Sequence, residues 1–509
     1  MRIGFKNILL MLVGVTLFLN VHSQGYNHVW LLGSTGTDTN VTHPDGRLLF
    51  YLDSVSVVGE QRKMAFSSTQ ATISNENGNF LFASNGCWIM DASGDTLQNG
   101  GGLNPGTFAN GNCSSVLGMP MSGANIIIPF PGDSNKFVLF HQVGNSINYL
   151  NSTEVFYTVV DMTLNGGLGG VIPGKKNVVA FTGNISWGLA ACKHANGMDW
   201  WVVAHEDSSN IIHKVLFTTN EVASVSSQQV SMPAPGYGIA GQPGFSPDGN
   251  KYAYKHGLTM NPGFHDIRIL SFDRCNGNFD SLGYAIRNNE FGFGQAFSPN
   301  SRYLYYASGG TIYQLDTDAP NISATDSIVA VYDGYCYPYP SSCTTFWLMY
   351  LAADSKIYIT SPNFVIDYSF INSPDSAGIA CDVQQHALRL PCYTIRGGIN
   401  HPNYYLGCDT TLGCPCLITG MDQGQGHDFK FSVSPNPSTG QIKVVYMLPQ
   451  NKSGKLEVFD IAGRMVYTMS LPHWSTLQMV DLSFLGRGIY NVNISSEHLW
   501  VGNKIVLIK

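Results

Sequence analysis

Along most of the chain, apolar and polar residues alternate in short runs that end on Gly, Asn, Asp, Ser or Pro. No long stretch repeats apolar residues at i, i+3, i+4 and i+7, so the pattern predicts strands and hairpins and an all-β chain. One segment departs from it. Ile8–Leu19 (ILLMLVGVTLFL) is continuously apolar, follows Arg2 and Lys6, and leads to Val21 and Ser23, whose side chains are small enough for a signal peptidase. Residues 1–23 are therefore expected to be a cleaved secretory signal. The run falls short of the roughly 20 residues that span a bilayer, and nothing later is as apolar, so no transmembrane segment is expected in the mature protein.

Within the alternation one phrase recurs, a turn on Asp or Asn followed by an aromatic strand. It appears as FSPDGNKYAY (Phe245–Tyr254), FSPNSRYLYY (Phe297–Tyr306) and LAADSKIYIT (Leu351–Thr360), with Asp248, Asn300 and Asp354 spaced 52 and 54 positions apart. Looser copies are ISNENGNFLF (73–82), FPGDSNKFVLF (130–140) and KHANGMDWWVV (193–203), with HPDGRLLFY (43–51) as a candidate seventh. Asp or Asn before Gly tolerates the left-handed backbone of a tight hairpin, and the alternating residues after it pack one face of a strand. A period near 50 with four-stranded units is the pattern of a β-propeller, here of about seven blades over residues 24–407. His28–Gly33 (HVWLLG) is expected to complete the last blade and close the ring. A single large sandwich is the competing architecture.

Three stretches carry a resemblance: ATISNENGNFLFASNG, DMTLNGGLGGV (Asp161–Val171), and the run from INSPDSAGIAC to GGINHPNY. They resemble the WD40-like propeller domains of exported Bacteroidetes proteins over about Tyr26–Gly407. Leu31 and Leu32 stand where members of that group often carry aromatic residues after the first Trp.

From Phe429 to Lys509 the pattern shifts to FSVSPNPSTG, QIKVVYMLP, GKLEVFDIAGRMVYTMSL, MVDLSFLGRGIYNVNI and NKIVLIK, strands joined by turns and predicted to form a compact seven-stranded, Ig-like β-sandwich. Pro435 and Pro437 flank Asn436 and suit the approach to a first edge strand. Asp460–Gly463 reads as a tight turn before Arg464, and Gly488 as a close backbone approach before Tyr490. In this order the phrases resemble the type A C-terminal sorting domain of the type IX secretion system. That resemblance implies handling by the type IX machinery, removal of the module by its sortase, and delivery through the periplasm to the cell surface or beyond. Pro435, Asn436, Pro437, Asp460, Gly463, Arg464, Gly488 and Tyr490 carry the sorting signal on this reading. Cys408–Asp428 reads as the Cys- and Gly-rich linker, with cleavage there or near Phe429.

Composition narrows the class. Charged residues make up only 12% of the chain, and the formal net charge of −7 becomes −11 once residues 429–509 are set aside. A mildly acidic main domain argues against nucleic acid, which needs clustered Lys and Arg. Eleven cysteines in an exported chain imply disulfides, with Cys87–Cys113, Cys336–Cys343 and Cys381–Cys392 as the close pairs. Cys408, Cys414 and Cys416 are expected in disulfides rather than around a metal, and the odd total leaves an unpaired thiol. No cofactor or metal is expected.

Catalytic patterns are sparse. Gly169–Lys176 has the spacing of a phosphate loop but ends on Lys176 where a Ser or Thr is needed, and reads as an inter-strand loop. His205–Asn210 (HEDSSN) begins like a zinc motif but has Ser209 at the second His position. No Gly-x-Ser-x-Gly elbow occurs. Glu154, Asp199, Glu206, Asp207 and Glu290 are candidates for paired acid–base work across a channel, with ion pairs or turn caps as the plainer reading. Asp53, Asp95, Asp280, Asp326 and Asp375 resemble a Bacteroidetes O-glycosylation pattern, which is also ordinary turn sequence. Aromatic chemistry is dense only in Tyr332–Tyr350, where Tyr335, Tyr337 and Tyr339 form a candidate ligand rim and Phe346–Tyr350 reads as buried strand.

Together these features predict a secreted or surface-displayed binding module for a glycan or protein ligand. The alternative is a polysaccharide-degrading hydrolase or lyase using channel carboxylates. A sensor or adhesin subunit working with a partner is a third reading.

Overall fold

The computed structural model describes residues 25–34, 43–51, 54–145, 151–231, 241–256, 264–288, 292–338, 342–417, 431–446, 448, 453–461, 463–472, 477–496 and 499–508. The expected signal segment lies outside them.

Residues 29–394 form seven antiparallel sheets. The first has three strands, Val29–Leu32, His43–Phe50 and Val55–Arg62. Six four-stranded sheets follow, with inner strands Ala71–Ser74, Asn125–Pro129, Ala190–Lys193, Gly244–Phe245, Gln295–Phe297 and Met349–Leu351. The second and third blades are joined at their outer sides by Gly170–Val171, which pairs antiparallel with Val160 and Asp161 and parallel with Gln98.

Apolar cores run between blades in ring order. The second to fourth blades share one that includes Phe82, Phe140 and Val202. Trp201 and Tyr252 join the fourth to the fifth, and Ile267 and Leu304 the fifth to the sixth. Tyr305 and Met349 join the sixth to the seventh. Closure falls to the first blade. Trp30 and Leu32 pack with Tyr350 and Tyr358 of the seventh blade, while Val29 and Leu31 pack with Ala83 and Met90 of the second. Because successive strand residues point to opposite faces, a strand wedged between two blades must be apolar at every position. All four residues are at most 4% exposed. His28–Gly33 thus does not complete another blade: it supplies the inner strand of its own, and side-chain packing closes the ring.

The recurring turn joins the inner strand to the second strand in six blades. In three of these turns Asp248 Oδ1 accepts the N–H of Asn250 at 3.0 Å, Asn300 Oδ1 that of Arg302 at 3.0 Å, and Asp354 Oδ1 that of Lys356 at 3.3 Å. The residue after each is left-handed, with φ of 75° at Gly249 and 64° at Ser301 and Ser355. The side-chain cap therefore holds the turn even where Ser replaces Gly. HPDGRLLFY is not a seventh copy. His43–Phe50 is a strand throughout, because its residues pair with both Val29–Leu32 and Val55–Arg62.

After the seventh blade the chain enters the central channel. Asn400 Nδ2 donates to the carbonyls of Gly123, Asn125 and Leu189 at 2.8–3.2 Å, and Tyr404 OH donates to that of Ile127 at 3.1 Å. Beyond it Arg274 Nη2 donates to Gly407 O at 2.6 Å and Cys275 is bonded to Cys414. The N–H groups of Asp409 and Leu417 donate to Ala195 and Asn196, so residues 408–417 are fastened to the ring rather than a free linker.

Cys87–Cys113 and Cys336–Cys343 form as expected, and Cys408 pairs with Cys416. Cys381 and Cys392 do not pair. They lie on opposite faces of the seventh blade, Cys381 in its core with the sixth and Cys392 in its core with the first.

Residues 431–508 form a sandwich of a three-stranded sheet (Phe431–Ser434, Gln441–Tyr446, Leu477–Asp481) and a four-stranded sheet (Met465–Leu471, Gly454–Phe459, Gly488–Ser496, Leu499–Leu507). Ile442, Val444, Leu456, Val492 and Ile505 fill it.

Trp30→Ala empties the seam between the first and seventh blades and is expected to cost about 3–5 kcal/mol, read as a lowered melting temperature. A change under about 1 kcal/mol would show that this strand does not hold the ring closed.

Candidate functional site

The aromatic rim is built on the loop between Ser327–Val331 and Met349–Leu351. The Cys336–Cys343 disulfide closes it, and the N–H of Tyr337 donates to Ser342 O at 2.9 Å across the closure. Asp333 Oδ1 accepts the N–H of Tyr335 at 3.0 Å. These ties fix Tyr335 with its ring stacked on His386, centroids 4.3 Å apart and planes 23° from parallel, and leave it 40% exposed. His386 Nε2 meets Asp333 Oδ2 at 2.8 Å. Tyr337 points back to the seventh blade, where its hydroxyl donates to Asp367, as does Arg389 Nη1 at 3.0 Å. Burial and that hydrogen bond raise the Tyr337 pKa far above its ordinary value, so it stays a donor. Of the three predicted tyrosines, Tyr335 presents a face, Tyr337 anchors the loop, and Tyr339 lies outside the described residues. His386 and Arg389 were not predicted, because no local pattern links them to a loop some 50 residues earlier.

A second site is a cavity of about 250 Å³ inside the ring. The crossing segment is bonded to the third and fourth blades and forms one wall of the cavity with Ile126, Ala190 and Ala191, while the inner strands of the fifth, sixth and seventh blades form the rest. Phe245, Gln295, Phe297, Met349 and His401 are among its lining, which among the described residues includes no Asp, Glu, Lys or Arg. Burial lowers the pKa of His401, so its imidazole is neutral. The recurring turn phrase supplies part of this site, through Phe245, Pro247, Phe297, Pro299, Leu351 and Ser355, but nothing local in the sequence shows that these copies meet at one cavity.

The predicted carboxylates do not meet there. Asp199 Oδ2 accepts from Asn196 Nδ2 at 2.7 Å as a turn cap, Glu206 pairs with His213 at 2.5 Å, and Asp207 accepts from Ser186 Oγ at 2.9 Å. Glu154 lies on the third strand of its blade, and Glu290 is outside the described residues. His205 is in a buried strand, 2.7 Å from Tyr252 OH, and Lys176 Nζ ties its loop to Asn99 Oδ1 at 2.9 Å. Asp326 accepts from Arg287 and Tyr306, and Asp375 Oδ1 caps the N–H of Asn300 at 2.9 Å. Asp95 pairs with Lys63, while Asp53 is not described. Among the described residues no group of three His, Cys, Asp or Glu is arranged to hold a metal.

In the terminal sandwich Asn436 bonds the last strand with both ends of its amide, donating to Lys504 O at 2.7 Å and accepting the N–H of Val506 at 2.9 Å. Pro435 and Pro437 therefore follow the first strand and turn the chain toward the last one, rather than preceding the first strand. Arg464 Nε donates to Asp460 Oδ2 at 2.8 Å across the turn completed by Gly463, and Gly488 opens the strand that contains Tyr490, whose hydroxyl donates to Gly486 O at 2.9 Å.

The fold and its tail define an exported all-β protein, a propeller followed by a secretion module. Residues 432–509 match the family of secretion system C-terminal sorting domains. The chain is thus an exported protein of the kind the Bacteroidetes deliver through the type IX machinery, bound for the cell surface or secretion. No described helix is long and apolar enough to cross a membrane. No curated protein matches the chain. Among solved structures it is similar to a putative 6-phosphogluconolactonase of Bacteroides uniformis, at 11% identity and a TM-score of 0.37, covering 90% of this chain and 100% of that one. It is also similar to the periplasmic gluconolactonase of Pseudomonas aeruginosa, at 11% identity and a TM-score of 0.34, covering 90% and 99%. At these scores the likeness carries no argument about activity.

Replacing Cys336 and Cys343 with Ser is expected to speed amide exchange across residues 333–346 by at least about tenfold while the blades keep their protection. Equal protection with and without the bridge would mean that the disulfide does not order the rim.

Proposed function

We propose that the protein is a non-catalytic binding module displayed outside the cell, and that its ligand, a glycan or a protein, seats on the stapled rim. The observation that carries this reading is the exposed Tyr335 ring, held on His386 by a disulfide-closed loop, with the Arg389 guanidinium 5.9 Å from the neighbouring Tyr337 ring. A flat aromatic face costs little entropy to order, and a sugar ring or an apolar side chain gains contact by stacking on it. Among the described residues the cavity lining carries no acidic or basic side chain, which supports binding over carboxylate chemistry. In this reading residues 1–23 direct the chain to the periplasm, and the sortase removes the terminal module once the propeller is outside.

Glycan-array binding by the purified propeller tests the rim, and Tyr335→Ala is expected to weaken it by about tenfold, equivalent to the loss of one stacking contact. Binding indifferent to Tyr335→Ala would refute the site. Deleting Phe429–Lys509 is expected to leave the propeller in the periplasm, which cell fractionation reads directly. Surface delivery at the full-length level would refute the sorting role.

A further inference from the structure

The inner strand of every blade is an edge strand, so half of its backbone N–H and C=O groups point toward the axis with no ladder partner. Along much of the channel wall the protein supplies amide side chains to meet them. Asn400 takes three carbonyls of the third and fourth blades, and Gln242 takes both the C=O and the N–H of Met349 in the seventh. The sixth blade is different. Gly294 O accepts the N–H of Ala307 at 3.0 Å and Tyr303 O that of Ser298 at 2.8 Å. By the antiparallel alternation the backbone of Gln295 faces the channel. No described residue bonds that backbone, and both side-chain amide atoms of Gln295, a residue 3% exposed, also lack a partner. The amide atoms are shut off from the cavity, whereas the backbone N–H and C=O of Gln295 are left to bond something seated beside the strand.

We propose that the cavity beside Gln295 binds one uncharged single-ring polyol, a neutral monosaccharide or its N-acetyl derivative. Its volume of about 250 Å³ holds roughly eight waters at ~30 Å³ each, which suits a ring of about a dozen non-hydrogen atoms. Phe245, Pro243 and Met349 offer an apolar wall to the ring's C–H face, and the Gln295 strand offers donors and acceptors to its hydroxyls. With no Asp, Glu, Lys or Arg among the described lining residues, a charged sugar would lose its hydration without gaining a counter-ion from them. The site stands apart from the rim and does not depend on it.

Calorimetry on the full chain without its signal, with glucose, N-acetylglucosamine and glucuronate as probes, tests this. Millimolar binding of a neutral probe with none of glucuronate is expected. A Cβ placed on Gly244, in the lining, meets no heavy atom within 4 Å, so Gly244→Leu starts its side chain into open space beside the cavity and is expected to abolish binding. Glucuronate binding as well as glucose, retention of binding in Gly244→Leu, or no heat from either neutral probe would each overturn the proposal. Because the rim is read by Tyr335→Ala and the cavity by Gly244→Leu, either site can fail alone.

Discussion

A sheet set radially in a ring has a neighbour on each side, so both of its faces must shed water. This requirement governs the rest of the propeller. It explains why Val29–Leu32 and Trp200–His205 are buried from end to end, although the chain as a whole alternates. It also explains why the ring closes with a three-stranded blade. At about 25 cal/mol per Å² of apolar surface, the seams between faces hold neighbours together without a strand shared across the junction. The outer strands meet water on one side, and there the alternation returns, as in Val55–Arg62.

A ring built this way leaves an unmatched edge around its axis. The chain meets part of that edge with its own continuation, since Asn400 and Tyr404 bond carbonyls of the third and fourth blades and Lys193 Nζ holds Tyr404 O at 2.8 Å. The crossing segment then leaves the channel where Cys275–Cys414 and Cys408–Cys416 hold it. The packed channel and the fastened exit are thus one device. The cavity is what remains of the axis where the segment does not reach.

How much of this was legible in the sequence depended on the range of the interaction. Hairpin turns are local, so Asp248, Asn300 and Asp354 announced three blades by side-chain caps two residues long, and the looser copies announced three more. The first blade lacked that signal because its Pro44–Gly46 run, which looks like a turn, is held as strand by Gln61, Glu60 and Gly59, with Gly46 paired to Leu32 as well. Tyr335 was legible as an exposed aromatic, yet its support from His386 and Asp333 was not, because that contact spans two blades. The cysteines divide the same way. Cys336–Cys343 and Cys87–Cys113 join near neighbours, whereas Cys275–Cys414 joins residues 139 apart that only the crossing segment brings together. Cys381 and Cys392 are as close in sequence as a bridge would need, but the sheet between them separates their side chains.

The unpaired thiols bear on how such a protein survives export. An odd number of cysteines in an oxidising compartment invites exchange, in which a free thiolate attacks an existing disulfide. Here Cys192, Cys381 and Cys392 are all buried between blades, and burial pushes their pKa values up to about 12, 11 and 12. Only the thiolate attacks, so at neutral pH these side chains are inert as well as unreachable. Their protection comes from the packing that closes the ring, whereas the four disulfides lie in the loops and exit segment that packing alone does not fix. Apolar seams and covalent staples thus divide the molecule between them, and the seams keep the staples correctly paired.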